Sequence, residues 1–227
     1  DLGDILVMPY TGDIKTDKGT EADHSKGYAS LYTHKQETVK PGYYSVKLLD
    51  YNITAELTAT ERAGFHRYRF PGGKTARVIV DLKEATQDRA TETFIEQVDA
   101  TTFKGYRYSA GWAKDQRVYF AIKTSVPVKD FRVFDNAQPL EGKQGKGAAI
   151  KGLLSFGTGR QQVLLKVGIS PVSANNALAN IQAEIPGWDF AAVVKKADQS
   201  WNKELSKIAI TTKTDRDKRI FYTSLYH

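Results

Sequence analysis

Apolar and polar residues alternate along much of this chain, in short segments separated by turn-forming residues. Apolar side chains take every second position from Ile53 to Ala59, and Thr or Glu takes the positions between them. Successive side chains of a strand point to opposite faces of a sheet, so this period is typical of a half-buried β-strand.

Twelve segments of this kind, rich in Val, Ile, Tyr, Phe and Thr, lie before residue 171 and are separated by Gly, Pro, Asp or Asn. Strands are predicted near residues 4–9, 27–36, 42–49, 52–60, 64–70, 76–82, 92–99, 102–109, 116–124, 130–135, 148–156 and 161–169. Because no helical period of useful length intervenes, the pattern predicts a mainly β fold, an antiparallel β-sandwich of about a dozen strands.

The period changes after Pro171, where apolar residues recur at spacings of three and four. Three helices are predicted, near residues 174–184, 190–208 and 215–227. Each follows a residue suited to cap it: Ser173, Asp189 and Thr214. The second helix carries an apolar stripe too wide for solvent, so we expect Trp188, Trp201 and Leu205 to pack against the sandwich or another chain.

Composition narrows the function classes. The 227 residues carry a formal net charge of +7 but no cysteine, which excludes disulfides and thiolate chemistry. Basic residues are interleaved with acidic ones and no nucleic-acid-binding motif is present, so no nucleic-acid partner is predicted. No apolar run approaches the ~20 residues of a membrane-spanning helix.

The segment His66-Arg67-Tyr68-Arg69 is the first candidate for chemistry, because we expect it on the outer face of its strand. The simpler interpretation is structural: Arg67 and Arg69 cover apolar surface and pair across strands with residues such as Glu56. The alternative is a sugar-binding face built from aromatic residues, although core packing is expected for most of them. Its candidate members are Tyr106, Tyr108, Trp112 and Tyr119.

Other candidate motifs are weak. The segment 141–152 departs from the phosphate-binding loop pattern at Leu140 and Gly147, so a flexible hairpin loop is predicted there, and a turn at 156–162. The four histidines have no metal-ligand spacing; His34 and Glu37 would share a strand end but lack further ligands. No nucleophile-elbow motif supports a Ser-His-Asp triad.

Six segments in register carry a resemblance. P-G-Y-Y-x-V, A-E-L-T-A-T, G-x-H-R-Y, V-G-I-S-x-V, A-E-I-P-G-W-D and F-Y-T-x-L-Y-H occur between residues 41 and 227. In this order they resemble the family 92 glycoside hydrolases, the calcium-dependent, inverting α-mannosidases. In that family, an N-terminal β-sandwich is joined by linker helices to a catalytic (α/α)₆ barrel.

The resemblance implies a domain organisation. Residues 1–170 would form the sandwich, 171–213 a helical linker and 214–227 the truncated start of the barrel. The barrel would be the partner of the sandwich, α-mannoside glycans the substrates, and the location extracytoplasmic, meaning periplasmic, cell-surface or secreted. Both ends of the chain are interpreted as cut, since the last residues stop within an amphipathic pattern.

The resemblance also implies where the chemistry lies. The family places its general acid, general base and most calcium ligands in the barrel, so no catalytic or metal-binding residue is assigned to this chain. Tyr226 and His227 match positions leading toward the pocket and are the candidate substrate-binding residues, with a structural role equally open. The competing hypothesis is a free-standing carbohydrate- or protein-binding β-sandwich module.

Overall fold

The computed structural model describes residues 3–20, 23 and 25–227, so His24 lies outside the described residues. These residues form fourteen β-strands followed by three α-helices. The strands are β1 (Leu6–Thr11), β2 (Glu37–Lys40), β3 (Tyr43–Leu48), β4 (Ile53–Ala59), β5 (Ala63–Phe70), β6 (Ala76–Asp81), β7 (Arg89–Gln97), β8 (Thr102–Ala110), β9 (Gln116–Thr124), β10 (Asp130–Asp135), β11 (Gln138–Leu140), β12 (Gln144–Gly147), β13 (Ile150–Gly157) and β14 (Gln161–Ser170). The helices are α1 (Ala174–Glu184), α2 (Phe190–Leu205) and α3 (Asp215–Tyr226).

The strands make two antiparallel sheets packed as a sandwich, which confirms the predicted fold class. The smaller sheet has the order β1-β6-β13-β10-β11, and the larger has the order β12-β7-β8-β9-β14-β5-β4-β3-β2. Strand β14 lies in the middle of the larger sheet, paired on one side with β9 and on the other with β5. It therefore joins two four-stranded halves.

Alternate residues of the strands fill the core between the sheets. From the larger sheet, Tyr68, Phe70 and Leu165 are buried, and from the smaller sheet Val78 and Leu153 oppose them. Each fully buried side chain of this size contributes about 1.5–3 kcal/mol by leaving water. Along these strands, every second side chain is buried in the core, which is the two-residue period seen in the sequence.

A second apolar cluster lies on the outer face of the larger sheet, beneath the helices. It combines Phe65 of β5 and Leu164 of β14 with Ile181 of α1 and Phe190 of α2. Close approach depends on Gly168, because a Cβ atom there would lie 2.2 Å from the Ala177 carbonyl oxygen of α1. The helices thus form a third layer over one face of the sandwich.

The predicted caps are present. The side chains of Ser173, Asp189 and Thr214 each accept a hydrogen bond from a backbone N–H in the first turn of their helix. The starts of all three helices were predicted correctly. Helix α2 ends at Leu205 rather than at residue 208. The Lys207 N–H donates to the Glu204 carbonyl, three residues back, which is the hydrogen bond of a 3₁₀ turn and not of an α-helix.

Three predictions about local structure were wrong. Residues 27–36 are not a strand: Tyr28 is tied to a neighbouring loop through the Asp17 carbonyl and to the core through the Asp81 carboxylate, 2.9 Å away. A 3₁₀ turn follows at His34–Gln36, and the edge strand β2 was missed. The segment 141–152, expected to be a loop, contains the missed strand β12, and β11 was missed as well; β13 agrees with the strand predicted near 148–156, and the turn between β13 and β14 was predicted correctly.

Candidate functional site

Strand β5 places the His66–Arg69 segment on both faces of the larger sheet, not on one outer face. Tyr68 is buried in the sandwich core, while Arg67 and Arg69 share the outer face with Phe65. The expectation that His66 and Tyr68 lie outside was wrong, because a regular strand turns every second side chain inward. The His66 Nδ1 lies 2.6 Å from the Tyr68 hydroxyl, and desolvation lowers the pKa of His66 to about 4.

The two arginines converge on Glu56 of the neighbouring strand β4, as predicted. Arg67 donates two hydrogen bonds to the Glu56 carboxylate, at 2.8 Å and 2.6 Å, and Arg69 and Tyr43 also donate to it. Burial is the largest single influence and would raise the pKa of Glu56, but Arg67, Tyr43 and Arg69 together outweigh it and hold that pKa below its usual value. The Arg67 guanidinium also lies 4.3 Å from the ring centre of Phe190. This cluster fastens α2 to the sheet, which is a structural role.

A buried lysine fastens the connection between α1 and α2. The Lys166 ammonium donates to the Ile185 carbonyl at 2.7 Å and lies 3.9 Å from the ring centre of Trp188. Desolvation lowers the pKa of Lys166 to about 8. The Trp188 ring is also 6.1 Å from that of Phe65, so Trp188 packs on the sandwich as predicted.

The candidate sugar-binding aromatics separate into two groups. Tyr106, Tyr108 and Tyr119 lie together outside the core, so the expectation that most of them pack inside it was wrong. The Tyr108 and Tyr119 hydroxyls are 2.8 Å apart, and the Tyr106 hydroxyl donates to Glu92 at 2.8 Å. Trp112 lies apart from them, fully exposed in the loop between β8 and β9.

Tyr226 and His227 line an open groove between the turn after β2, the end of α2 and one side of α3. The groove encloses about 670 Å³. The Tyr226 ring lies 4.7 Å from that of Trp201, which in turn packs close to Gly42. Most of the surface exposed in the groove is apolar, with Val39 and Leu205 among the contributors, although Lys, Arg, Asn, Ser and Thr side chains also line it. We call this the α2–α3 groove.

Helix α3 contributes little to any core in the part of the chain that the structure describes. None of its residues is buried, and Ile220 and Leu225 are 55% and 38% exposed. It is attached to the rest of the chain by the Trp201–Tyr226 contact and by a hydrogen bond from the Tyr222 hydroxyl to the Ile208 carbonyl, 3.1 Å. An apolar helix face in this state indicates a surface that another part of a protein covers.

No cluster of three or more His, Cys, Asp or Glu side chains that could hold a metal ion occurs among the described residues. Glu37 begins β2 and His34 lies in the 3₁₀ turn before it, with the His34 Nδ1 2.6 Å from the Glu37 Oε2, but no third His, Asp or Glu among the described residues joins this pair. Across the same residues, no helix is both long and apolar enough to cross a membrane.

The described residues form a β-sandwich followed by three helices. Comparison with known families gives the same division: residues 1–170 match the family model described as "Glycosyl hydrolase family 92 N-terminal domain", and residues 176–227 match "Glycosyl hydrolase family 92 catalytic domain". The chain belongs to glycosyl hydrolase family 92, and it comprises the N-terminal domain and the start of the catalytic domain.

Individual relatives agree with this assignment. A family 92 α-mannosidase from Bacteroides thetaiotaomicron is 32% identical, with a TM-score of 0.94, over 100% of this chain and 32% of that one. An inverting family 92 mannosidase from the same organism shares the fold, at 23% identity and a TM-score of 0.83, over 98% of this chain and 29% of its own. An "uncharacterized secreted glycosidase" from Arthroderma benhamiae is 26% identical over 99% of this chain and 32% of its own. The chain spans about a third of the length of these relatives.

Proposed function

We propose that this chain is the non-catalytic N-terminal part of an α-mannosidase whose sandwich packs on an (α/α)₆ barrel and helps to wall the mannoside-binding pocket. Residues 171–213 are the linker between the two, and 214–227 begin the barrel. The observation that carries the proposal is that α3 buries none of its residues and leaves Ile220 and Leu225 exposed, within a segment that matches a catalytic domain.

The chain's own residues set the geometry of that junction. The Glu56–Arg67–Phe190 contacts and the Lys166 anchor hold α1 and α2 against the larger sheet. Helix α3 then leaves the sandwich with its apolar side free for the remainder of the barrel. Tyr226 and His227, at the end of α3, would then lie on the side of the proposed mannoside pocket. We propose them as substrate-binding residues.

The reaction itself belongs to the remainder of the protein. An inverting glycosidase needs a general acid and a general base roughly 6.5–9.5 Å apart, with a water between the base and the anomeric carbon. Calcium, bound by residues outside this chain, would help to distort the sugar and orient that water. The sandwich supplies a wall that excludes bulk water, and an extracytoplasmic location fits access to glycans.

The first test is the 227-residue chain alone, which should release no mannose from an α-mannobiose. The full-length protein should release mannose in the presence of calcium and stop when a chelator is added. Calcium-dependent release by the 227-residue chain that disappears on changing one of its own Asp or Glu residues would contradict the proposal.

The second test addresses the candidate substrate-binding residues in the full-length protein. Tyr226→Phe and His227→Ala should lower kcat/KM for α-mannobiose by roughly tenfold, the loss of about one hydrogen bond to the substrate. Ser224→Ala, on the same helix, is the matched control and should change it little. Equal effects of all three substitutions would indicate that α3 has only a structural role.

A free-standing binding module is the second candidate from the sequence. It is disfavoured because such a module has no need of a segment that matches a catalytic domain. The helical segment after residue 170 also leaves more apolar surface exposed than a finished module would present.

A further inference from the structure

Two loops at one end of the sandwich meet to form a small cavity. The loop between β8 and β9 packs against the connection from β6 to β7, and the contact is so close that a Cβ atom on Gly111 would lie 2.8 Å from the Cβ of Asp88. The cavity encloses about 220 Å³. It is lined by Thr86, Gln87, Asp88, Ser109, Gly111, Trp112, Ala113 and Gln116.

The floor of this cavity is held by a buried arginine. Arg107 is fully buried and donates to both carboxylate oxygens of Asp88, at 2.9 Å and 2.7 Å, and to the Leu82 carbonyl at 2.9 Å. It also pairs with Asp4 at 3.2 Å, and Gln116 donates to the same Asp4 oxygen at 2.6 Å. The Arg107 guanidinium holds the pKa of Asp88 below its usual value. Asp88 is therefore a fixed, charged acceptor.

One wall of the cavity carries an unpartnered polar atom. Ser109 is 2% exposed, and its Oγ makes no hydrogen bond of regular geometry among the described residues, although it lies near enough to the Asp88 carboxylate to help lower the pKa of that group. A buried hydroxyl without a partner is costly, and such a group in a native protein calls for an occupant that satisfies it. Because Ser109 lines the cavity, that occupant carries hydroxyl groups into it.

The rim of the cavity carries an aromatic side chain that nothing in the described structure covers. Trp112 is fully exposed, in a loop whose neighbours are mostly polar. An indole ring offers a flat apolar face, and exposing it to water is unfavourable. A ligand that suits both features has one apolar C–H face and several hydroxyl groups, which is the chemistry of a pyranose sugar.

We propose that this cavity binds one pyranose residue of a glycan, stacked on Trp112 and hydrogen-bonded to Ser109 and Asp88. Its volume lies below the ~300 Å³ at which pockets for larger ligands begin, so it accepts a single ring. The site rests on this geometry alone. Only the choice of a mannoside as the first ligand to test rests on the proposed function.

The experiment is saturation-transfer NMR on the full-length protein, with methyl α-D-mannopyranoside, the corresponding glucoside and the galactoside as probes. At least one probe should show saturation transfer to its ring C–H protons that falls roughly fivefold in Trp112→Ala, the loss of one aromatic contact. Ser109→Ala should weaken the same signal. Tyr32→Ala, which removes an exposed aromatic from another loop, is the matched control and should leave it unchanged.

Thermal unfolding of the same proteins decides between a sugar and a protein occupant. If a sugar is the occupant, Trp112→Ala has nothing to destabilise, and its melting temperature should match that of the unchanged protein. A drop of several degrees would show that another part of the polypeptide covers Trp112 and would overturn the proposal. So would equal saturation transfer in the unchanged and Trp112→Ala proteins with all three sugars.

Mannose release by the unchanged protein is measured separately. A protein that releases mannose but shows no dependence on Trp112 overturns the sugar site alone. A protein that loses sugar contacts in Trp112→Ala but never releases mannose supports the site and contradicts the proposed function alone.

Discussion

Helices α1 and α3 are both amphipathic, yet only one of them is part of a core. Helix α1 buries Ala177 and Ile181 against the larger sheet, and the start of α2 continues this packing through Phe190. Helix α3 buries none of its residues within the described chain, although Ile220 and Leu225 lie on it. The apolar pattern alone therefore does not determine whether a helix is docked.

The sheet beneath the helices explains the difference. Strands β5, β9 and β14 present Ala63, Ala121 and Gly168, small residues that let α1 and α2 approach closely. Helix α3 does not lie over these small residues of the sheet, and it touches the rest of the chain mainly at Trp201. We infer that α1 and α2 are stabilised by the sandwich and α3 by residues that follow in the full-length protein.

The largest expected effect is at the centre of the docked region. Phe190→Ala should lower the free energy of unfolding by about 4 kcal/mol, because it leaves a cavity beneath α2 and removes the ring against which Arg67 stacks. Urea unfolding followed by circular dichroism measures this loss.

Ile220→Ala on α3 is the matched control. In the 227-residue chain it should change the free energy of unfolding by less than about 0.5 kcal/mol, whereas in the full-length protein the loss should be several times larger. Similar losses from both substitutions in the 227-residue chain would mean that α3 is docked after all.

A methyl group at Gly168 should separate α1 from β14. Gly168→Ala should cost about 3 kcal/mol, because the new Cβ would meet the Ala177 carbonyl oxygen, a backbone atom that cannot move alone. Gly187→Ala introduces the same methyl group where no atom lies within 4 Å and should not be destabilising. Melting temperatures of the two variants would show the contrast, and equal values would contradict it.

Raising the pH should raise the free energy of unfolding, because it removes the desolvated charge of Lys166 from the folded chain. The pKa of Lys166 is about 8 in the folded chain against 10.5 in the unfolded chain, so between these values the unfolded chain binds more protons and stability rises with pH. Relative to Lys166→Met, the unchanged chain should gain about 2 kcal/mol between pH 7 and pH 9.5. A difference that stays constant over this range would show that the ammonium is not desolvated.

The smallest expected effect is at Arg67, which joins the outer face of β5 to α2. Arg67→Ala should cost about 1 kcal/mol through lost pairing with Glu56 and lost stacking on Phe190. It should not alter sugar recognition by the full-length protein, which isothermal titration with a mannoside would check. Weaker sugar binding at an unchanged melting temperature would restore a functional role for this segment.

The sequence was sufficient to predict those strands and helices whose local pattern of residues matches the packing they have in the fold. Regular alternation identified β4, and a capping residue fixed the start of each helix. The Arg67–Glu56 pair was also predictable, because both residues belong to adjacent strands joined by a short turn.

Local signals failed where distant contacts decide the outcome. Tyr28 belongs to a segment with strand-like composition, but its hydroxyl is held by Asp81, which is 53 residues away. Strand β12 is made by its pairing with β7, and it lies so close to Val133 and Leu140 that only glycine fits at position 145. The cavity beside Trp112 depends on two loops meeting, and no single stretch of sequence carries that information.

The position of β14 in the middle of the larger sheet sets the timing of folding during synthesis. Strands β2 to β5 and strands β7 to β9 with β12 are made first, but they have no common neighbour until residues 161–170 appear. While these residues are still inside the ribosome, β5 and β9 are unpaired edges with exposed main-chain groups, the kind of surface on which chains aggregate. The nascent chain is therefore most in need of chaperone protection just before its last strand emerges.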